Sequence, residues 1–166
     1  MKVSWIYQSG DGTGNFGLSM CPGKNLEKGR DGKTYKRSII KDVESLQARN
    51  IQLIICLLND YEIRSVGCDH VKYSAACQKY KVELFKYPII EMAPPEDVAE
   101  FHHNVILRID QTLKTGGNVM AHCRGGIGRA GTVAACYLAF KNGTSRSESI
   151  KLVRERRDRR CVESRK

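Results

Sequence analysis

Residues 119–132 read VMAHCRGGIGRAGT. The segment opens as a short strand, 118–121, and runs directly into His122 and Cys123. It turns through Gly125, Gly126 and Gly128, then continues as an apolar helix over 128–140 that stops at Asn142 and Gly143. A strand that passes into a helix through a glycine-rich loop is a building unit of an α/β sheet. Ligands of such sheets bind at the carboxyl ends of the strands, and Cys123 stands at one of those ends.

The residue types in the loop suit one chemistry. Splitting a phosphate monoester with a thiol needs a sulfur that is ionised near neutral pH, although an unperturbed cysteine has a pKa of about 8.5. It also needs several fixed donors around the phosphoryl oxygens, because the transition state is stabilised mainly by positioning and charge. A loop of inward-facing backbone amides at a helix N-terminus supplies both positive potential and donors. The three loop glycines permit the backbone angles that such a cradle requires. Arg129, six residues after Cys123, can bind two phosphoryl oxygens at once with its planar fork, which lysine cannot do. The reading makes Cys123 the nucleophile, Arg129 the clamp, and Arg124, Gly125, Gly126, Ile127 and Gly128 the phosphate-binding peptide.

Working outward, 51–58 (IQLIICLL) reads as a strand buried on both faces, and 82–87 as another, ended by Pro88. Residues 37–48 and 98–113 carry helical spacing. A last helix starts at Ser145, where Glu148 completes a capping box. Short strand-like pieces, 3–7 and 16–20, flank a cluster of glycines at 10–14 that reads as a hairpin turn, since it lacks the spacing of a nucleotide-binding fingerprint. The fold class expected is α/β: one domain over 1–166, a mostly parallel sheet with helices on both faces.

Composition narrows the class. The 166 residues contain no apolar run near the roughly 18–20 residues of a membrane helix, and the first residues do not resemble a secretory signal. The expectation is a cytoplasmic protein without a membrane span. Seven scattered cysteines, without C-x-x-C pairs, argue against a disulfide framework or a structural zinc. The net charge is +10, and half of it falls in residues 151–166, where eight basic residues, Arg165 and Lys166 among them, meet three acidic ones. A basic balance favours anionic partners, but the tail itself reads as a solvated basic helix.

The segment His122–Arg129 has the form H-C-x5-R and resembles the signature of the protein tyrosine phosphatases in their compact dual-specificity style. It is similar above all to the kinase-associated phosphatase branch and its bacterial relatives. Residues 16–24 (FGLSMCPGK), 57–63 (LLNDYEI), 88–91 (PIIE) and 131–139 (GTVAACYLA) extend that resemblance over nearly the whole chain. It implies the family fold, a phosphocysteine intermediate, a phosphorylated protein as substrate, no required nucleic acid, and neither metal nor organic cofactor. It assigns His122 to ordering the loop and keeping the sulfur ionised. It also implies a further helix beyond the last one read here; oligomeric state stays open.

Two positions depart from the family pattern. Ala130 replaces the Ser or Thr whose hydroxyl eases departure of the sulfur, and Thr132 lies on a different helical face. The aspartate that acts as general acid is replaced in the matching loop by Glu91, with Asp97 as the alternative and Glu96 beside it; both of the latter also read as charges at a helix start. Asp60 and Glu62 read as a helix cap near the pocket rim rather than as substrate contacts. Cys56 reads as a packed thiol, with a protective disulfide to Cys123 as the other option.

The function expected is hydrolysis of phosphotyrosine, and also of phosphoserine or phosphothreonine, through phosphocysteine. The alternatives are a phosphate-recognition module with little turnover, and a phosphatase for RNA 5′ ends or inositol phosphates. The tail's arginines are not interleaved with aromatic residues, so the basic charge does not carry the RNA reading.

Overall fold

Apolar strands with no polar alternation need cover on both sides, and this requirement organises the chain. In the computed structural model, which describes residues 1–163, β5 (Ile51–Cys56) is buried at every position except Gln52. Arg165 and Lys166 lie outside the described residues. The main sheet has five strands in the order β1-β2-β7-β5-β6. These are β1 (Ser4–Tyr7), β2 (Phe16–Ser19), β7 (Asn118–His122), β5 and β6 (Glu83–Lys86). β1 is antiparallel to β2, and every other pairing is parallel. A separate two-stranded ladder joins β3 (Asn25–Leu26) to β4 (Tyr35–Lys36).

One helical layer, α1 (Ile39–Gln47) with α3 (His70–Lys79), packs on β5 and β6. Another, α5 (Leu107–Lys114), α6 (Gly128–Asn142) and α7 (Arg146–Arg156), packs on β1, β2, β5 and β7. The α/β architecture with a mixed sheet thus agrees with the sequence. The capping box also forms as read: Ser145 Oγ accepts from Glu148 N at 3.2 Å, and Glu148 accepts from Ser145 N at 2.9 Å. The 98–113 helix is one rod built of α4 (Val98–Phe101), a π-helical turn over His102–Ile106, and α5.

Two helices are additions to the sequence reading. α2 (Asp60–Ser65) has only six residues and buries only Ile63. α3 turns Tyr73, Ala76 and Cys77 inward among polar neighbours, so its apolar stripe is thin. Both are fixed by their caps: Asn59 and Glu62 form a reciprocal box, and Asp69 accepts from the amides of Val71 and Lys72.

The parallel pairing β2-β7-β5 places Ser19, His122 and Cys56 side by side in register at the carboxyl end of the sheet. The loop that follows His122 therefore rises at the centre of the sheet rather than at its edge.

Candidate active site

The loop leaves β7 with Cys123 almost fully buried, and a single backbone conformation lets it turn. Gly126 has φ of +67°, and a Cβ there would lie 2.0 Å from the carbonyl oxygen of Ser19 on β2. Only glycine fits against that strand end. Cys21 N donates to Arg124 O at 3.1 Å, tying the loop to the segment after β2.

The carbonyls of the loop are engaged from the outer side. Arg157, just past α7, donates from Nη2 to Gly125 O at 3.0 Å and from Nε to Gly126 O at 3.1 Å; its Nη1 reaches Ser4 Oγ at 3.0 Å. The basic tail is thus more than the solvated helix its composition suggests, because one of its arginines grips the loop. By contrast, the amides of Arg124, Gly125, Gly126 and Ile127 donate to no protein acceptor among the described residues. α6 starts at Gly128 with no side-chain cap, so its N-terminal dipole is also open to the loop. Free amides and an uncapped helix end make an anion cradle.

Arg129 is buried and lies across this cradle. Its Nη1 donates to Glu62 Oε1 and to Ile89 O, both at 2.8 Å. Its Nε and Nη2 donate to no protein atom among the described residues. That leaves one edge of the guanidinium free for two oxygens of an anion. Glu62 is a cap, as read, and its second oxygen accepts from Asn59 N at 3.2 Å. Its grip on Arg129, 67 residues away in sequence, left no local signal.

His122 is fully buried beneath the loop. Nδ1 lies 3.0 Å from Cys123 O, which can only accept, so Nδ1 carries the hydrogen. Nε2 then accepts from the Tyr73 hydroxyl at 2.8 Å, and the two rings stack. Burial lowers the His122 pKa to about 4, so the ring is neutral near pH 7. His122 orders the loop through a backbone bond, as the resemblance implied, but it brings no positive charge to the sulfur. Tyr73 had no sequence signal. Replacing it with phenylalanine strips the buried Nε2 of its partner. Urea denaturation is expected to show a loss of about 1–3 kcal/mol.

Cys123, Arg124, Gly125, Ile127, Gly128 and Arg129 line one cleft of about 500 Å³, in which eight basic side chains face four acidic ones. Arg124 points to the rim, where Nη1 donates to Ser65 Oγ at 3.0 Å. Glu91 also borders the cleft, but its carboxylate is held by Arg30 at 2.5 Å, and that contact lowers its pKa. Asp97 and Glu96 lie elsewhere, in a separate cavity; Asp97 caps α4 by accepting from Glu100 N at 2.9 Å. The alternative acid is therefore a helix cap. A carboxylate that sequence reasoning had left within the charged tail, Glu163, lines the cleft instead. Thr132 Oγ1 bonds to Gly128 O at 3.2 Å and does not stand in for the hydroxyl missing at Ala130. The Cys56 thiol is fully buried, lies 3.6 Å from Leu58 O, and has its pKa pushed up to about 12 by burial, which fits a packing role.

Known proteins share this fold and part of this sequence. A crystal structure of a kinase associated phosphatase, with a substitution of its catalytic-site cysteine to serine, matches 99% of this chain and 88% of its own, with a TM-score of 0.82 at 22% identity. Cyclin-dependent kinase inhibitor 3 of Rattus norvegicus is 25% identical over 166 residues, covering 99% of this chain and 74% of that protein. Dual specificity protein phosphatase 1B of Arabidopsis thaliana is 35% identical over 75 residues, covering 44% of this chain and 45% of its own length. The chain spans less than half the length of that relative and about a quarter of dual specificity protein phosphatases 1-A of Xenopus laevis and 2 of Mus musculus. The family model for the dual specificity phosphatase catalytic domain matches residues 35–165, which takes in the loop, the clamp and the helix behind them, and the chain belongs to that family.

Proposed function

We propose that this protein is a cysteine-dependent protein phosphatase that hydrolyses phosphotyrosine and dual-specificity substrates through a phosphocysteine intermediate. One observation carries the reading: a buried cysteine opens into a cradle of unpaired amides, faced by an arginine with one edge of its fork unused. The sulfur of Cys123 attacks phosphorus as the bond to the leaving oxygen breaks. The amides of residues 124–127 and the free edge of Arg129 bind the three other oxygens, more strongly as they gain charge. Water then attacks the phosphocysteine, releasing inorganic phosphate and the sulfur. His122 positions the loop through Cys123 O and takes no part in proton transfer. The family name and the basic cleft support a phosphorylated protein as the substrate. A panel of phosphopeptides, RNA 5′ phosphates and inositol phosphates at one salt concentration tests this; the peptides are expected to have the highest kcat/KM.

Ala130 favours a slow second step. It is fully buried in the first turn of α6, at the position where the family resemblance implies a hydroxyl that donates to the departing sulfur. Ala130→Ser is expected to speed hydrolysis of the phosphocysteine about tenfold, the value of one hydrogen bond to a charged group. Rapid-mixing kinetics check it: the wild-type protein shows a burst of phenol release followed by a slow steady rate, and the variant a smaller burst with a faster one.

A further inference from the structure

Four acidic side chains border the catalytic cleft, and two of them, Glu91 and Glu163, stand in opposite circumstances. Glu91, on the loop after β6, is partly exposed and paired with Arg30. Breaking that pair is a precondition for it to carry a proton. Glu163 comes from the other side, on the strap of residues 158–163 that follows α7. The strap is built onto the loop and α6 rather than lying loosely over them. Cys161 is fully buried, and its carbonyl accepts from Arg154 Nε at 3.0 Å. Val162 N donates to Ile127 O at 3.3 Å. Gly131 makes room for the strap: a Cβ there would sit 2.6 Å from Val162 N.

This seating delivers the Glu163 side chain onto the first residue of α6. A Cβ on Gly128 would fall 2.7 Å from Glu163 Oε1 and 2.6 Å from its Cγ, so the carboxyl group lies beside the cradle, one residue from Arg129. Its other oxygen, Oε2, accepts from Met92 N at 2.8 Å, next to Glu91. Oε2 is thereby fixed, while Oε1 has no hydrogen-bond partner among the described residues. Both residues at this junction hold left-handed backbone, Met92 with φ of +64° and Val162 with +69°. Such conformations cost free energy and persist where the surroundings impose them.

The charged groups facing Glu163 are Arg129 from α6 and Glu91 from the opposite loop; Arg157, Asp158 and Arg160 precede it on its own segment, and Arg146 of α7 opens on the apolar cavity behind it. Burial, with Glu91 adding to it, raises the Glu163 pKa above the usual carboxylate range despite Arg129 and the Met92 amide. When two carboxyl groups at a site are pushed apart in this way, the raised one is suited to give the proton.

We propose that Glu163, brought to the cleft by the strap, donates the proton to the leaving oxygen, while Glu91 stays ionised on Arg30. This deepens the phosphocysteine reading and rests on it. As the S–P bond forms and the P–O bond breaks, the electron pair of that bond goes to the leaving oxygen, which takes the Glu163 proton. The Glu163 carboxylate then accepts a proton from the water that attacks phosphocysteine, and the S–P pair returns to sulfur.

The test compares Glu163→Gln with Glu91→Gln in the full chain, using phenyl phosphate, a poor leaving group, and p-nitrophenyl phosphate, which leaves without help. Glu163→Gln is expected to lower kcat/KM for phenyl phosphate about 100-fold, as for loss of a general acid, and for the nitro compound only a few-fold. It should also abolish the fall of kcat/KM toward alkaline pH that the protonated acid imposes. Glu91→Gln should show no such dependence on leaving group. Equal losses on both substrates in Glu163→Gln, or selective loss in Glu91→Gln, overturn the assignment. Melting temperature and inhibition by inorganic phosphate establish that each variant is folded. If Glu163→Gln does not fold, Glu163→Asp replaces it: a selective deficit with phenyl phosphate supports the proposal, and its absence refutes it. Turnover surviving in Cys123→Ser would instead remove the phosphocysteine reading itself.

Discussion

Cys123→Ser abolishes turnover of an aryl phosphate, a loss expected to be on the order of 10⁴-fold or more, while inorganic phosphate still binds within a few-fold of the wild-type affinity. The two halves of this result come from different atoms. Bond making belongs to the sulfur, for which a serine hydroxyl is a poor substitute because it is far harder to ionise than a thiol; His122 is already committed at both ring nitrogens. Binding belongs to the amides of residues 124–127 and to Arg129, none of which the substitution touches. Steady-state kinetics and phosphate inhibition measured on the same preparation separate the two. If turnover persists, the nucleophile is another group.

Arg129→Lys has the second-largest expected effect, a drop of about 10²–10³ in kcat/KM, the usual cost of losing a fixed donor to transition-state charge. An ammonium can keep either the Glu62 carboxylate or the Ile89 carbonyl, but it cannot hold both and present a flat two-pronged edge to phosphate. The loss should fall mainly on kcat, because the fork matters most when the phosphoryl group is planar and its oxygens are spread. A change confined to KM would mean that the arginine only attracts the dianion. Melting curves must accompany the kinetics, since the side chain is buried and ion-paired.

How far the sequence could be read depended on whether the information was local. The loop was legible because nucleophile, glycines and clamp lie within seven residues and each has a chemical reason to be there. The Ser145 cap and the β5 strand were legible for the same reason: short-range pattern and local geometry coincide. α2 and α3 escaped because a six-residue helix has no period to detect, and because three inward residues among polar ones resemble a loop. The partners that shape the site escaped for another reason. Tyr73 reaches His122 across 49 residues, Glu62 reaches Arg129 across 67, and Arg157 reaches Gly125 across 32. Each looks ordinary in its own neighbourhood. Glu163 was hidden more thoroughly, because it sits in a run of charges whose composition suggests solvent.

The His122 arrangement has a consequence for how the protein responds to acidity. With one nitrogen donating to a carbonyl, the other accepting from a phenol, and a pKa lowered to about 4, this imidazole is a strut and not a sensor. Between pH 5 and 8, where histidines commonly switch, its proton count stays almost constant. A limb in the rate profile over that interval must therefore come from other groups in or around the cleft. In a proton-detected titration, the His122 ring signals should stand still across that interval.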